Sequence, residues 1–86
     1  ARINRYTEAI QHFKTALAIQ GHQPQVYFLW GAVLMELADY ETAIEKFRMT
    51  LRVTPKHVDA LYLWGVALNR LGQYEKALER TKQALE

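Results

Sequence analysis

The chain contains no cysteine and no serine, and it has only two prolines and four glycines in 86 residues. Without cysteine there can be no disulfide and no thiolate metal site, and the redox compartment is left open. Without serine or cysteine two common nucleophiles are missing, and no glycine-rich segment suited to cradling phosphate occurs. The longest apolar run, Val26–Met35, is about half of what a bilayer demands, so nothing here reads as a membrane span. Charge of one sign is scarce too. Eleven basic against nine acidic residues leave a net charge of +2, too little to argue for a nucleic-acid partner. Half of the residues are hydrophobic and 23% are charged, the balance of a folding chain rather than a disordered one. The length allows one small domain at most, marginal in the surface it can hide.

What the sequence does have is repetition. The segment LWGVALNRLGQYEKALE (63–79) is a near-copy of LWGAVLMELADYETAIE (29–45), and NRYTEAIQHFKTAL (4–17) matches the tail of each. Three columns run through all copies at an offset of 34: Tyr6, Tyr40, Tyr74; Ala9, Ala43, Ala77; and Leu17, Leu51, Leu85. A fixed period of this size means stacked repeats rather than one sheet or bundle. The chain starts at Ala1 inside one unit and stops at Glu86 inside another. It therefore reads as an excised piece, and a missing signal peptide says nothing about the parent.

Each unit carries two helical stretches. Val26, Trp30, Val33, Leu34 and Leu37 recur at steps of three and four over 25–37, and Tyr40, Ala43, Ile44, Phe47 and Leu51 do so over 40–53. Between the two stretches Asn4, Ala38 and Gly72 occupy equivalent places where the chain must leave the first helix. Asparagine and glycine tolerate a left-handed backbone, so the Ala38 turn is expected to be strained or to use another geometry. Asp39 suits the N-cap of the following helix. Gly21 with Pro24, and Pro55, mark the longer breaks between units. Glu8, Glu41 and Glu75 fall at the starts of second-type helices, where the helix dipole favours a carboxylate.

Gly31 and Gly65 lie mid-helix, where glycine costs roughly 0.5–1 kcal/mol, a cost tolerated when a neighbouring helix needs the room. Ala43 and Ala77 are the expected partners at the crossing, with Trp30 and Trp64 covering it as core residues.

A 34-residue helix-turn-helix with Trp30–Gly31 in the first helix, then Tyr40, Ala43, Phe47, Leu51 and Pro55, resembles the tetratricopeptide repeat (TPR) family. The last copy matches at Trp64, Gly65, Tyr74, Ala77, Ala84 and Leu85, and the orphan second helix at Tyr6, Ala9 and Phe13. Tryptophan replaces the usual leucine before the glycine, Thr50 a small alanine, and Thr81 the aromatic found at Phe13 and Phe47. Thr81 is expected to weaken the last unit and let its final turn fray. The resemblance implies an all-α fold of antiparallel helix pairs stacked as a right-handed solenoid. One TPR-like domain spans 1–86, made of an incomplete unit (1–23), a complete one (24–57) and a near-complete one (58–86).

Little catalytic or ligating chemistry is present. His12, His22 and His57 have no second ligand at i+3 or i+4, so a metal role is not expected, and no cofactor is called for. The chain is read as a non-enzyme. The resemblance implies instead a concave groove lined by the first-type helices: Gln25, Phe28, Leu29, Ala32, Met35 and Glu36, then Asp59, Tyr62, Leu63, Val66, Asn69 and Arg70. Phe28 and Tyr62 lie outside the Trp30–Leu34–Leu37 stripe and are expected to be exposed, as binding aromatics are. Leu29 and Leu63 either line the groove or thicken the packing between first helices. The lysine, asparagine and arginine clamp by which some TPRs grip a chaperone's terminal carboxylate is missing, since the matching places hold Phe28, Ala32, Leu63 and the wrongly charged Asp59. The groove fits an apolar or amphipathic peptide or partner helix. The alternatives are a self-assembly module stacking through its open ends and, remotely, an RNA-binding repeat, for which only Arg70 and Arg2 supply groove charge.

Overall fold

The computed structural model of the chain describes residues 2–21 and 23–86, with side chains from residue 5 onward; His22 lies outside the described residues. Five helices follow one another: α1 (Arg2–Gln20), α2 (Pro24–Glu36), α3 (Tyr40–Val53), α4 (Val58–Arg70) and α5 (Tyr74–Leu85). Each packs on the next, α2 tightly on α3 and α4 tightly on α5, while α2 and α4 touch only lightly. The result is a slab of 35 × 29 × 15 Å.

Position in that slab explains composition. α2 lies between α1 and α3, and α4 between α3 and α5, so both are apolar over most of their circumference, with charges confined to Glu36, Asp59 and Arg70. The flanking α3 and α5 are amphipathic. The core is built where three helices converge: Leu34 from α2, Ala43 and Phe47 from α3, and Ala60 from α4, with Ile10, Phe28, Trp30, Met35, Leu51, Leu63 and Trp64 packed around them. Phe47 is fully buried, which contributes roughly 1.5–3 kcal/mol from its apolar area.

The helix ends follow the turn chemistry read from the sequence, with one exception. α2 and α4 both end in a Schellman arrangement. The Asp39 N–H donates to the Leu34 carbonyl (2.9 Å) and Ala38 N–H to Met35 (3.0 Å), while Gln73 N–H donates to Leu68 (2.9 Å) and Gly72 N–H to Asn69 (3.0 Å). The left-handed residue is Gly72 at φ 81° in one turn and Ala38 at φ 60° in the other. The middle turn is therefore strained, because a Cβ in this region costs roughly 1–2 kcal/mol. The Asp39 carboxylate caps α3, accepting from Thr42 N–H at 3.5 Å, and Pro24 is the first residue of α2. The exception is Asn4, which lies inside α1 rather than at a turn. Asparagine permits a left-handed backbone without demanding it, and nothing in this segment forces the helix to break. In consequence Glu8 is not in the first turn of its helix, unlike Glu41 and Glu75.

The Gly31 crossing differs from the expected small-on-small contact, while Gly65 does meet Ala77. A Cβ placed on Gly31 would meet the ring of Phe47 at 2.5–3.0 Å, so the aromatic, not Ala43, occupies the notch. At Gly65 the nearest atoms belong to Thr81 (Oγ1, 2.7 Å) and to the Ala77 carbonyl (3.1 Å). Thr81 thus stands where Phe47 stands one unit earlier, its hydroxyl donating to Ala77 O at 3.0 Å. α5 nevertheless stays helical through Leu85, so its last turn is formed. Thr50, fully buried, shares its hydroxyl proton between the Lys46 carbonyl (3.0 Å) and the Pro24 carbonyl (3.3 Å), tying α3 to the start of α2. Trp30 and Trp64 pack against the core yet keep one face outward. The Lys46 amine covers the first at 3.8 Å and the Arg80 guanidinium the second at 4.2 Å, paired cation–π contacts at the repeat offset.

Candidate functional site

Helical geometry sorts the residues of α2 and α4 into an inward and an outward stripe. On α2 the outward stripe is Gln25, Leu29, Ala32 and Glu36, at steps of four, three and four; on α4 it is Asp59, Tyr62, Val66 and Asn69, at steps of three, four and three. Burial agrees with this division. Gln25, Glu36, Asp59, Asn69 and Arg70 are exposed, Ala32 and Val66 half-buried, and the two large apolar members, Leu29 and Tyr62, remain 41% and 53% exposed. Each stripe is apolar at its centre and polar at its ends. No buried polar side-chain atom is left without a partner among the described residues, and no cluster of metal-ligating side chains occurs among them.

Three of the expected groove residues are turned largely inward. Phe28 is half-buried, with its ring centroid 6.1 Å from that of Phe47 and 4.7 Å from that of His57, so it is a wedge between α3 and the loop before α4. It is not the exposed counterpart of Tyr62. Phe47 and His57 converge on Phe28, whereas the last unit carries Thr81 in the column of Phe47. Met35 and Leu63 also pack against the core. The two leucines therefore divide, Leu29 outward and Leu63 inward.

His57 has a task that its type and spacing did not disclose. It is the N-cap of α4, with Nδ1 accepting from the Ala60 N–H at 3.1 Å, while its ring leans on Phe28 at an angle of 37°. The available signal was its place immediately before the apolar run of α4, where a capping acceptor is needed.

A sequence profile of the family described as "Anaphase-promoting complex, cyclosome, subunit 3" matches residues 2–84. The chain belongs to that family of TPR-type repeats. Solved structures with the same fold include "Crystal structure of MamA protein" (25% identity, TM-score 0.90, 96% of this chain and 45% of that one) and "Crystal structure of MamA" (25%, 0.91, 96% and 48%). A third, "MamA RS-1 ArsTM double mutant", aligns at 25% identity with a TM-score of 0.86. The chain spans about half the length of these proteins. Comparison with curated proteins returns no significant match. Repeats of this family generally mediate protein–protein interaction or assembly rather than catalysis, and no described helix is long and apolar enough to cross a membrane.

Proposed function

We propose that this chain is a non-catalytic interaction scaffold that holds an apolar or amphipathic peptide, or a partner helix, against the outward stripes of α2 and α4. Its working parts are the repeat units 24–57 and 58–86, preceded by the second helix of an incomplete unit. The observation that carries this reading is the exposure of Tyr62 and Leu29 on helices otherwise shielded on both flanks. A large apolar side chain left outward at the middle of a stripe, with polar residues at its ends, is the pattern of a binding anchor and its rim. Gln25 and Glu36 on one helix, and Asp59, Asn69 and Arg70 on the other, supply that rim. Its mixed charge favours an amphipathic ligand over a uniformly acidic or basic one.

The test is a peptide-display selection against the chain, followed by affinity measurement on the selected peptides. Tyr62→Ala and Leu29→Ala are expected to weaken binding at least tenfold with helix content and melting temperature nearly unchanged. Selected peptides that bind both variants as tightly as the parent chain would place the site elsewhere.

A further inference from the structure

Two open grooves lie at equivalent places in successive units, so each is a control for the other. One is lined from α3, α4 and α5, with Leu51, Leu61, Trp64 and Arg80 among its residues. The other is lined from α1, α2 and α3 and carries Leu17, Tyr27, Trp30 and Lys46 at the same four columns. In both a cation lies over the tryptophan, Lys46 at 3.8 Å and Arg80 at 4.2 Å, so this pair belongs to the shared scaffold. What the α1/α2/α3 groove has in addition is charge of one sign. Arg48 and Arg52, one turn apart on α3 and both exposed, join Lys46, and Glu45 is the one carboxylate among the described residues that line it. In the column of Arg52 the other groove holds Glu86, and in that of Met49 it holds Gln83. A third groove, between α3, α4 and α5, sets three cations against three carboxylates. Positive charge is thus gathered at one place, beside the apolar surface of Tyr27, Trp30 and Met49.

We infer that this groove is a second binding site, whose occupant is a short acidic peptide segment carrying one large apolar side chain. Carboxylates of the segment meet Arg48 and Arg52, whose guanidinium groups match them in charge and geometry. Its apolar side chain meets Trp30, Tyr27 and Met49, all half-buried. The volume of about 440 Å³ lies within the range of ligand pockets. A single-stranded nucleic acid also favours cations beside aromatics, but it needs a positive track along its backbone. Here the charge ends at the groove, and Glu45 stands within it. The openness of the groove does not rest on what precedes α1. α2 packs on α3 yet lines no part of the equivalent groove, so a helix packed on α1 in the same way leaves this one uncovered. Tyr27 and Trp30 lie on the opposite side of α2 from Leu29 and Ala32 by helical position, which separates this site from the outward stripes.

The probe is a fluorescein-labelled peptide, Glu-Asp-Glu-Leu-Glu-Asp-Glu, titrated with the chain while anisotropy is read. Saturable binding is expected. It should weaken about tenfold in Arg48→Glu/Arg52→Glu, where two ion pairs are lost and turned to repulsion, and as strongly when the acids of the peptide are replaced by their amides. A peptide with glycine in place of leucine should also bind more weakly. Both arginines are exposed, so the variant keeps its helix content, which circular dichroism verifies. Arg70→Glu/Lys82→Glu makes the same change in net charge away from the groove and should bind within about twofold of the parent, since distant exposed charges are screened. Tyr62→Ala should bind the probe unchanged, so failure here and failure of the α2/α4 face are distinguishable. Absence of saturable binding, binding that survives Arg48→Glu/Arg52→Glu, equal losses in the two charge variants, or indifference to the leucine overturns the inference. So does an oligouridylate that binds more tightly than the peptide and is lost in the same variant, because the occupant is then a nucleic acid.

Discussion

Gly31→Ala inverts the usual effect of replacing a helical glycine. Alanine in a helix interior is favoured over glycine by roughly 1 kcal/mol, so on propensity alone the variant would be more stable. The added Cβ, however, would stand 2.5 Å from Cε1, 2.9 Å from Cδ1 and 3.0 Å from Cζ of Phe47. Carbon atoms are comfortable at about 3.5–4.0 Å, so the ring has to retreat by about 1 Å. Phe47 is fully buried against Leu34, Ala43 and Ala60 and has nowhere to go without moving α2 or α4. Overpacking of this kind costs about 1–3 kcal/mol, and such a hard overlap belongs at the top of that range. The net expectation is a loss of about 2 kcal/mol.

In a chain this small that loss lowers the melting temperature by roughly 8–16 °C, readily seen in a thermal melt followed by circular dichroism, with urea titration as the second measure. Gly65→Ala is the matched control. Its nearest atom is the Thr81 hydroxyl, which can rotate away, so the net change there should be smaller. Trimming the obstacle should also rescue: Gly31→Ala with Phe47→Leu is expected to be less destabilised than the sum of the two single changes. A Gly31→Ala chain more stable than the parent by about 1 kcal/mol would refute the account, since propensity would then be the only effect and Phe47 could not be seated on that glycine.

Ala38→Gly removes the left-handed strain of the α2–α3 turn and should stabilise by about 0.5 kcal/mol after the entropy of glycine is counted; a melt showing destabilisation would mean Ala38 is not strained. Gly72→Ala should do the reverse at about 1 kcal/mol, and Gly65→Leu should cost more, about 2 kcal/mol or above, because leucine is driven into the Thr81 and Ala77 backbone; equal melts would contradict the crossing geometry. Phe28→Ala should cost about 1–2 kcal/mol, as expected for a half-buried ring, whereas Tyr62→Ala should leave stability within about 0.5 kcal/mol. A melt in which the two behave alike would show that they share an environment. His57→Ala should lose about 1 kcal/mol through the α4 cap, with most of it restored in His57→Asn; a restored cap that restores no stability would leave only the Phe28 contact to explain the loss.

The period and the turn residues made the helix pairs legible before any coordinates. A repeat of 34 fixes which residues are equivalent, and Gly72, Asp39 and Pro24 each act through the backbone of their own segment, where sequence suffices. Most of the failures involve contacts between segments. Nothing local to Gly31 says whether its notch receives Ala43 or Phe47, since both are on the helix that packs there. Nothing local to Phe28 reveals that Phe47 and His57 converge on it from α3 and from the loop before α4. Asn4 misled for the opposite reason: it matched the turn column, but its residue type only permits the turn.

The equivalence of columns also limits what a repeat can tell about function. Phe28 and Tyr62 occupy the same place in their units, yet one is a structural wedge and the other is open to solvent. Phe28 meets two rings, Phe47 and His57, and in the column of Phe47 the last unit carries Thr81. Where the aromatic is present it fills the glycine notch and gives Phe28 a ring to lean on; where threonine replaces it, the hydroxyl turns back to Ala77 and that ring is missing. A substitution that looks like a weak point in the last unit thus removes one ring from the surroundings of Tyr62, the anchor proposed above. The idea can be checked directly. Thr81→Phe should draw Tyr62 inward, raising the melting temperature if the Gly65 notch accepts the ring and weakening any ligand anchored on Tyr62. If ligand affinity is unchanged while the chain becomes more stable, the exposure of Tyr62 does not depend on Thr81, and the link between the two columns is wrong.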